Sequence, residues 1–277
     1  MALRINYNLA ASSAQRGLAA SQDTYSKQAE HLSSGLRINR ASDDAAGMAV
    51  SEKLKNQVRG LNQAQRNAQD SISLIQTAEG ALTETHSILA RMRELAVQGA
   101  NDTLNNSDRA NLEAEFTQLK AEVTRIAETV NFNGKLLLNN AAGTTGDIIL
   151  QIGANSSTLT IALSNNNATG LAINTAALAS VTSLAVAATT ITNLDAAINT
   201  VSTNRANLGA LQSRLESVGR SLAVASENTA AANSRVADAD IAESMSELVR
   251  AQILQQAGIS VLAQANQAPS LVLQLLR

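Results

Sequence analysis

The sequence contains no cysteine and no tryptophan. Without thiols it can form neither disulfides nor thiolate metal sites, and cysteine usage leaves its redox compartment unspecified. One proline, Pro269, occurs in 277 residues, so helices can run long without the usual breaker. Phenylalanine and tyrosine occur twice each, and aromatics make up 1% of the chain. Domains of this size ordinarily draw much of their buried area from aromatic rings. Here Leu, Ile, Val and Ala must supply it, which suits the seams between helices. The net charge is −2 with 16% charged residues, too little basic field to attract nucleic acid. No run of about 18 apolar residues is present, so no membrane insertion is expected. The N-terminal MALRINYNLAASSAQRG lacks the apolar segment of a cleavable secretory signal. Read alone, that indicates the cytoplasm unless export uses an uncleaved signal.

What is present is heptad periodicity. From Ser42 to Gly99 a seven-residue apolar series runs unbroken through Leu54, Leu61, Ala68, Ile75, Leu82, Leu89 and Ala96. A second series of Leu74, Ala81, Ile88 and Leu95 widens the stripe. Sustained heptads without proline predict one long helix packed along its length against other helices. Ser42 or Asp43 is the expected cap, Asp43, Asp44 and Glu52 favour the early turns, and Gly99 with Asn101 closes the helix.

Residues 8–33 predict a first helix with a thin stripe of Ala11, Leu18, Tyr25 and Leu32. One apolar residue per heptad is too little to hold a helix by itself. After Gly99 a polar turn, NDTLNNSD, offers Ser107 or Asp108 as the next cap. Residues 108–130 carry interlocked series (Leu112, Leu119, Ile126 and Phe116, Val123, Val130) and predict an antiparallel helix along the second half of the long one. Asn133-Gly134 marks a sharp turn. Ile148 to Ile152 and Leu159 to Leu163 are β-rich runs flanking Gly153-Ala154-Asn155-Ser156, a hairpin signal. From Asn139 to Asn204 only Asp147 and Asp195 are charged, a low-complexity composition that suggests a small variable insert. Asn155-Ser-Ser and Asn167-Ala-Thr match glycosylation acceptors, but such triplets arise readily in this composition.

Helical order is expected to resume at a Thr192/Asp195 capping box. It continues through Leu194, Val201, Leu208, Leu215, Leu222, Thr229 and Val236. This second long helix is the natural antiparallel partner of the first. The tail, Ala251 to Arg277, has no charge except Arg277 and is rich in Gln, Ile, Val and Leu. Its apolar surface predicts association, and its Gln and Asn argue against a lipid-spanning helix. Neighbour contacts are expected along the face carrying Leu54, Leu61, Ile75 and Leu82. Leu208, Leu215 and Leu222 are expected to pack within the subunit. Gly60 and Gly80, each costing roughly 1 kcal/mol in a helix interior, suggest close approach of a neighbouring helix.

Three stretches resemble bacterial flagellin: HLSSGLRINRASDDAAGMAVSEKL (His31 to Leu54), SISLIQTAEGALTETHSILARMRELAVQ (Ser71 to Gln98) and NTAAANSRVADADIAESMSELVRAQILQQAGISVLAQANQAPSLVLQLLR (Asn228 to Arg277). The resemblance covers roughly residues 1–140 and 190–277, and the middle lacks the family's large outer domains. It implies a short flagellin: mainly α, a long antiparallel helical bundle or coiled coil from the two terminal regions, with a small β-hairpin segment between them. It also implies a division into 1–42 (inner coiled coil and linker), 43–140 (core), 141–190 (hairpin and insert), 191–236 (core) and 237–277 (inner coiled coil). In that family the chain ends order on assembly into a filament that drives swimming. The subunit leaves through the flagellar export channel without a cleaved signal, making the filament extracellular. Implied partners are other copies of the chain, an export chaperone at the C-terminal helices, and the filament cap and junction proteins. Implied inner-coil residues are Leu18, Tyr25, Leu32, Ile253, Leu254, Ile259, Val261, Leu262, Leu271 and Leu275. Core-helix packing falls to Leu54, Leu61, Ile75, Leu82, Leu89, Leu208, Leu215 and Leu222. Arg91, Leu95 and Glu115 match positions contacted by host innate-immune receptors in recognised flagellins.

An enzyme is not expected, nor is any cofactor or metal. His31 and His86 are the only histidines, and HExxH, GxGxxG, GxxxxGK[ST] and a serine elbow are absent. Asp43-Asp44 reads as a helix-dipole pair rather than a catalytic dyad. The competing structural readings are a hook-associated junction protein or another secreted helical rod, and more weakly a membrane-active tail.

Overall fold

The computed structural model describes residues 8–139, 147–174 and 180–275, the last with side chains as far as residue 267. Helix α1 (Leu9–Ser34) starts where Asn8 Oδ1 accepts the Ala11 N–H at 3.0 Å. It ends on Gly35, whose φ of 71° lets its N–H turn back to His31 O. Helix α2 (Ala45–Gly99) is the long heptad helix. Its cap differs from both expected residues: Asp44 Oδ1 accepts the Gly47 N–H at 2.9 Å. Asp43 instead closes the preceding turn, accepting the N–H groups of Asn39 and Arg40.

Helix α3 (Asn106–Thr129) is entered through Asn105, which forms a capping box with Asp108. Asn105 Oδ1 accepts the N–H groups of Ser107 and Asp108, and the Asp108 carboxylate accepts the Asn105 N–H in return. Strands β1 (Asn131–Phe132) and β2 (Lys135–Leu136) pair around Asn133 and Gly134, both at positive φ, the signature of a type I′ turn. Strands β3 (Ile148–Gln151) and β4 (Thr158–Ile161) form the expected hairpin, with Ile148 opposite Ile161 and Gln151 opposite Thr158.

Helix α4 (Leu184–Ala237) begins eight residues before the expected capping box at Thr192. The early turns are held by tertiary contacts: Thr190 Oγ1 donates to Ser180 O at 2.8 Å, and Glu113 accepts from the Val181 N–H at 2.6 Å. Helix α5 (Ile241–Leu275) starts on Asp240, whose Oδ1 accepts the N–H groups of Ala242 and Glu243.

The chain divides into two compact units. One comprises residues 1–58 and 227–277, the other residues 59–226. In the 59–226 unit, Ile75, Leu82, Leu89, Met92, Phe116, Val123, Leu194, Val201 and Leu215 form a continuous buried core. Half of that seam is not obvious as apolar. Ala64, Ser71, Ala78, Thr85 and Met92, one per heptad on α2, are all buried. Ser71 and Thr85 satisfy their hydroxyls on the carbonyls of Asn67 and Ala81, four residues back, so they pack at little polar cost.

Candidate assembly surface

In the unit of residues 1–58 and 227–277, α1 and α5 form an antiparallel pair. Asn8 Nδ2 donates to Ala265 O at 2.8 Å, and a Cβ placed on Gly258 would touch Leu18 at ordinary packing distance. Half-buried residues at spacings of three and four run the length of α1: Ala11, Ala14, Leu18, Ser21, Tyr25, Gln28 and Leu32. On α5 they are Leu248, Gln255, Gly258, Leu262 and Ala265, with Ser244 and Ala251 fully buried. This is a coiled-coil seam built largely of small and polar side chains. A cavity of about 160 Å³ remains in it beside Ser21, Thr24, Ala251 and Leu254.

Other apolar side chains of α5 are mostly exposed. Ile253, Leu254, Ile259 and Val261 are 59%, 51%, 58% and 54% exposed. Leu271 and Leu275 lie outside the residues with described side chains. In α1 no residue is fully buried.

Below the seam the two chain segments are tied by backbone. Leu36 and Asp238 form an antiparallel bridge, Arg37 N donates to Ala237 O at 2.7 Å, and Ala239 N donates to Gly35 O. The Arg37 guanidinium adds a bond to Val236 O at 2.8 Å. Asn39 Nδ2 binds Ser34 Oγ and Arg40 Nε binds Glu30. The Arg40 N–H, opposed in part by burial, then helped by Asn39 and Lys27, holds the Asp43 carboxyl below its usual value. Leu54 is half-buried and Ser51 Oγ donates to Asn233 Oδ1 in the same unit.

In the 59–226 unit, Leu61, Ile75, Leu82, Leu89, Leu215 and Leu222 are buried and Leu208 is half-buried. The expectation that the Leu61, Ile75 and Leu82 face meets neighbouring copies is therefore corrected: the subunit's own side chains enclose it. Gly60 does mark a close approach, but of the hairpin loop, because an added Cβ would lie 2.9 Å from Ala154 Cβ. Around Gly80, apart from its chain neighbours and the nearby backbone of its own helix, nothing among the described residues comes within 4 Å of such a Cβ.

Arg91 and Glu115 are exposed and bonded to each other at 2.9 Å, with Glu94 as a second partner of Arg91. Their hydrogen bonds, Glu94 first, raise the Arg91 pKa above its ordinary value. Leu95, expected at the same receptor-facing surface, is 1% exposed. It packs in the same buried cluster as Leu89 and Met92. On the α4 side of α2, Arg93 binds Asp195 at 2.6 Å and Arg205 lies 3.8 Å from Glu79. His86, midway between Glu79 and Arg93, has a buried Nδ1 without a partner among the described residues. Among those residues no group of three or more His, Cys, Asp or Glu could hold a metal ion, and no helix is long and apolar enough to cross a membrane.

These features sit on a sequence that known families match at both ends. The model of the bacterial flagellin N-terminal helical region matches residues 5–143, and that of the C-terminal helical region matches residues 191–276. Flagellin of Halalkalibacterium halodurans is 51% identical over 274 residues, covering 99% of each chain. Flagellin of Bacillus subtilis is 44% identical over 304 residues, 99% of this chain and all of that one. The 31.3 kDa flagellar filament core protein of Treponema maltophilum is 43% identical, covering 99% of each. Among solved structures, Bacillus cereus flagellin superimposes with a TM-score of 0.50 at 38% identity, over 57% of this chain and 88% of that one. A putative flagellar hook-associated protein of Vibrio parahaemolyticus superimposes at 0.59, over 71% of this chain and all of that one. At 14% identity, that second likeness speaks for the fold alone.

Proposed function

The chain belongs to the bacterial flagellins and is a structural subunit of the flagellar filament; from that premise we propose that it polymerises through the α1–α5 pair. The observation that supports this is the exposure of Ile253, Leu254, Ile259 and Val261 on a helix whose opposite side is already paired with α1. At about 1.5–3 kcal/mol per fully buried Leu or Ile, enclosing such side chains between neighbours offsets the entropy of ordering both chain ends on assembly. Leu18, Tyr25, Leu32 and Leu262 set the seam, Leu271 and Leu275 extend the apolar tail, and the four exposed residues meet other copies.

The same uncovered α5 surface suits an export chaperone that shields it before assembly, in a subunit that leaves the cell without a cleaved signal. The filament cap and junction proteins would meet it at the ends of the polymer. The Arg91–Glu115 pair is the part of the receptor-matching region left at the surface, with Leu95 supporting it from beneath. Relatives named as flagellin or filament core protein match over nearly their whole length, which disfavours a junction protein.

Electron microscopy of purified protein, after adding a precipitating salt or filament seeds, tests the reading. Full-length chain is expected to give long filaments, and chain lacking residues 251–277 none. Equal polymerisation by the truncated chain would exclude α5 as the assembly element.

A further inference from the structure

The 59–226 unit has two long sides. On one, the β3–β4 hairpin lies against α2: Asn67 Nδ2 donates to Gln151 O, and the hairpin loop reaches Gly60. On the other, α2 and α4 meet without a covering element, leaving a groove of about 370 Å³ floored by Ala68, Ile72 and Leu215. Gly219 lines this groove, and Gly209 shares the heptad track of the groove residues Glu216 and Ala223. A Cβ on either glycine would meet nothing within 4 Å. A glycine in a helix interior is unfavourable relative to alanine, and the chain's own packing gives neither position a reason for it.

We propose that this groove receives the exposed small-residue face of α3 from a second copy of the chain. That face carries Ala110, Ala114, Thr117 and Ala121 at spacings of four, three and four, all exposed. Helices approach closely where both surfaces lack bulk, and glycines on one side with alanines on the other provide that. Charge matches as well. Arg220 on the groove margin has no carboxylate within 4 Å, and Glu128, two turns past Ala121 on α3, has no cation, among the described residues. The two surfaces are different patches of one molecule, so the contact is heterologous and propagates instead of closing on itself. That is the kind of contact a filament subunit requires, and the inference rests on the filament role stated above.

The absence of native cysteine makes the test direct. Gly219→Cys is combined in turn with Ala114→Cys, Thr117→Cys and Ala121→Cys, and seeded filaments are treated with a short bis-maleimide. At least one combination is expected to give a ladder of covalent oligomers beyond dimer, with free subunits remaining monomeric. Filaments that yield no such ladder with any combination, or dimers only, overturn the proposal. A Gly219→Leu variant supplies a second readout: its monomer melts no lower than the unaltered chain, while seeded elongation falls at least tenfold. Elongation at the unaltered rate would overturn the proposal. If the unaltered chain itself failed to polymerise, the filament role would fall, and this contact with it.

Discussion

The 59–226 unit and the α1–α5 pair are both helical, but they solve the burial problem in opposite ways. The former encloses Phe116, Ile75, Leu82 and Leu215 completely within its own packing. The latter builds its seam partly from Ser21, Gln28, Gln255 and Gly258, and leaves Ile253, Leu254, Ile259 and Val261 more than half exposed. A unit with a closed core is stable alone; a pair with an open apolar surface is completed by other molecules. On the proposed reading, stability and assembly rest on different residues, and substitutions should separate them.

The largest separation is expected from α5. Ile253→Asn with Ile259→Asn should abolish seeded elongation, while the thermal transition of the monomer stays within about 0.5 kcal/mol of the unaltered chain, as for surface changes generally. If the monomer transition collapsed instead, the two regions would not be energetically distinct. Phe116→Ala should do the reverse. Emptying a fully buried aromatic site costs about 3–5 kcal/mol, lowering the melting temperature by roughly 2–4 °C per kcal/mol in a unit of this size. Filaments should still form below the lowered transition.

Smaller effects sharpen the boundary. Asn105→Ala removes the cap of α3 and should cost about 1 kcal/mol, read by denaturant unfolding, with assembly unaffected at low temperature. Gly80→Ala should raise monomer stability by up to about 1 kcal/mol, and slow elongation where a neighbouring copy packs closely against that helix face. If stability rose and elongation were unchanged, no neighbour would approach there. The smallest effect concerns acid. The bond from Arg93 holds the Asp195 carboxyl below its ordinary 3.8. Its contribution is therefore complete above 3.8 and is lost as pH falls through the lower folded value. Asp195→Asn should flatten the acid end of the stability profile of the 59–226 unit slightly, measured by thermal melts between neutral pH and acid.

Much of this arrangement is legible in the residues. Heptads locate α1, α2 and α3 to within a few positions, and the hairpin falls on the β-rich runs, because apolar spacing reports directly which side of an element is buried. The start of α4 is not legible. Its first turns, LAVAATT, mix helix-favouring Leu and Ala with three β-branched residues and carry no heptad stripe, and contacts of Ser180, Glu113 and Thr190 hold them. The second seam of α2 is hidden for a different reason: Ser71 and Thr85 read as surface residues until their hydroxyls are seen bonded within the helix. On α5 no stripe stands out. Apolar residues lie all round the helix, and the ones facing α1 are among the least apolar.

The uncovered side chains of α5 have a thermal consequence. Removing apolar surface from water on subunit addition lowers heat capacity, and the associated driving force weakens on cooling. The free-subunit concentration in balance with polymer should therefore rise as the solution is chilled. Burial of Ile253, Leu254, Ile259 and Val261 between copies is thus expected to make chilling a condition that returns filament to monomer.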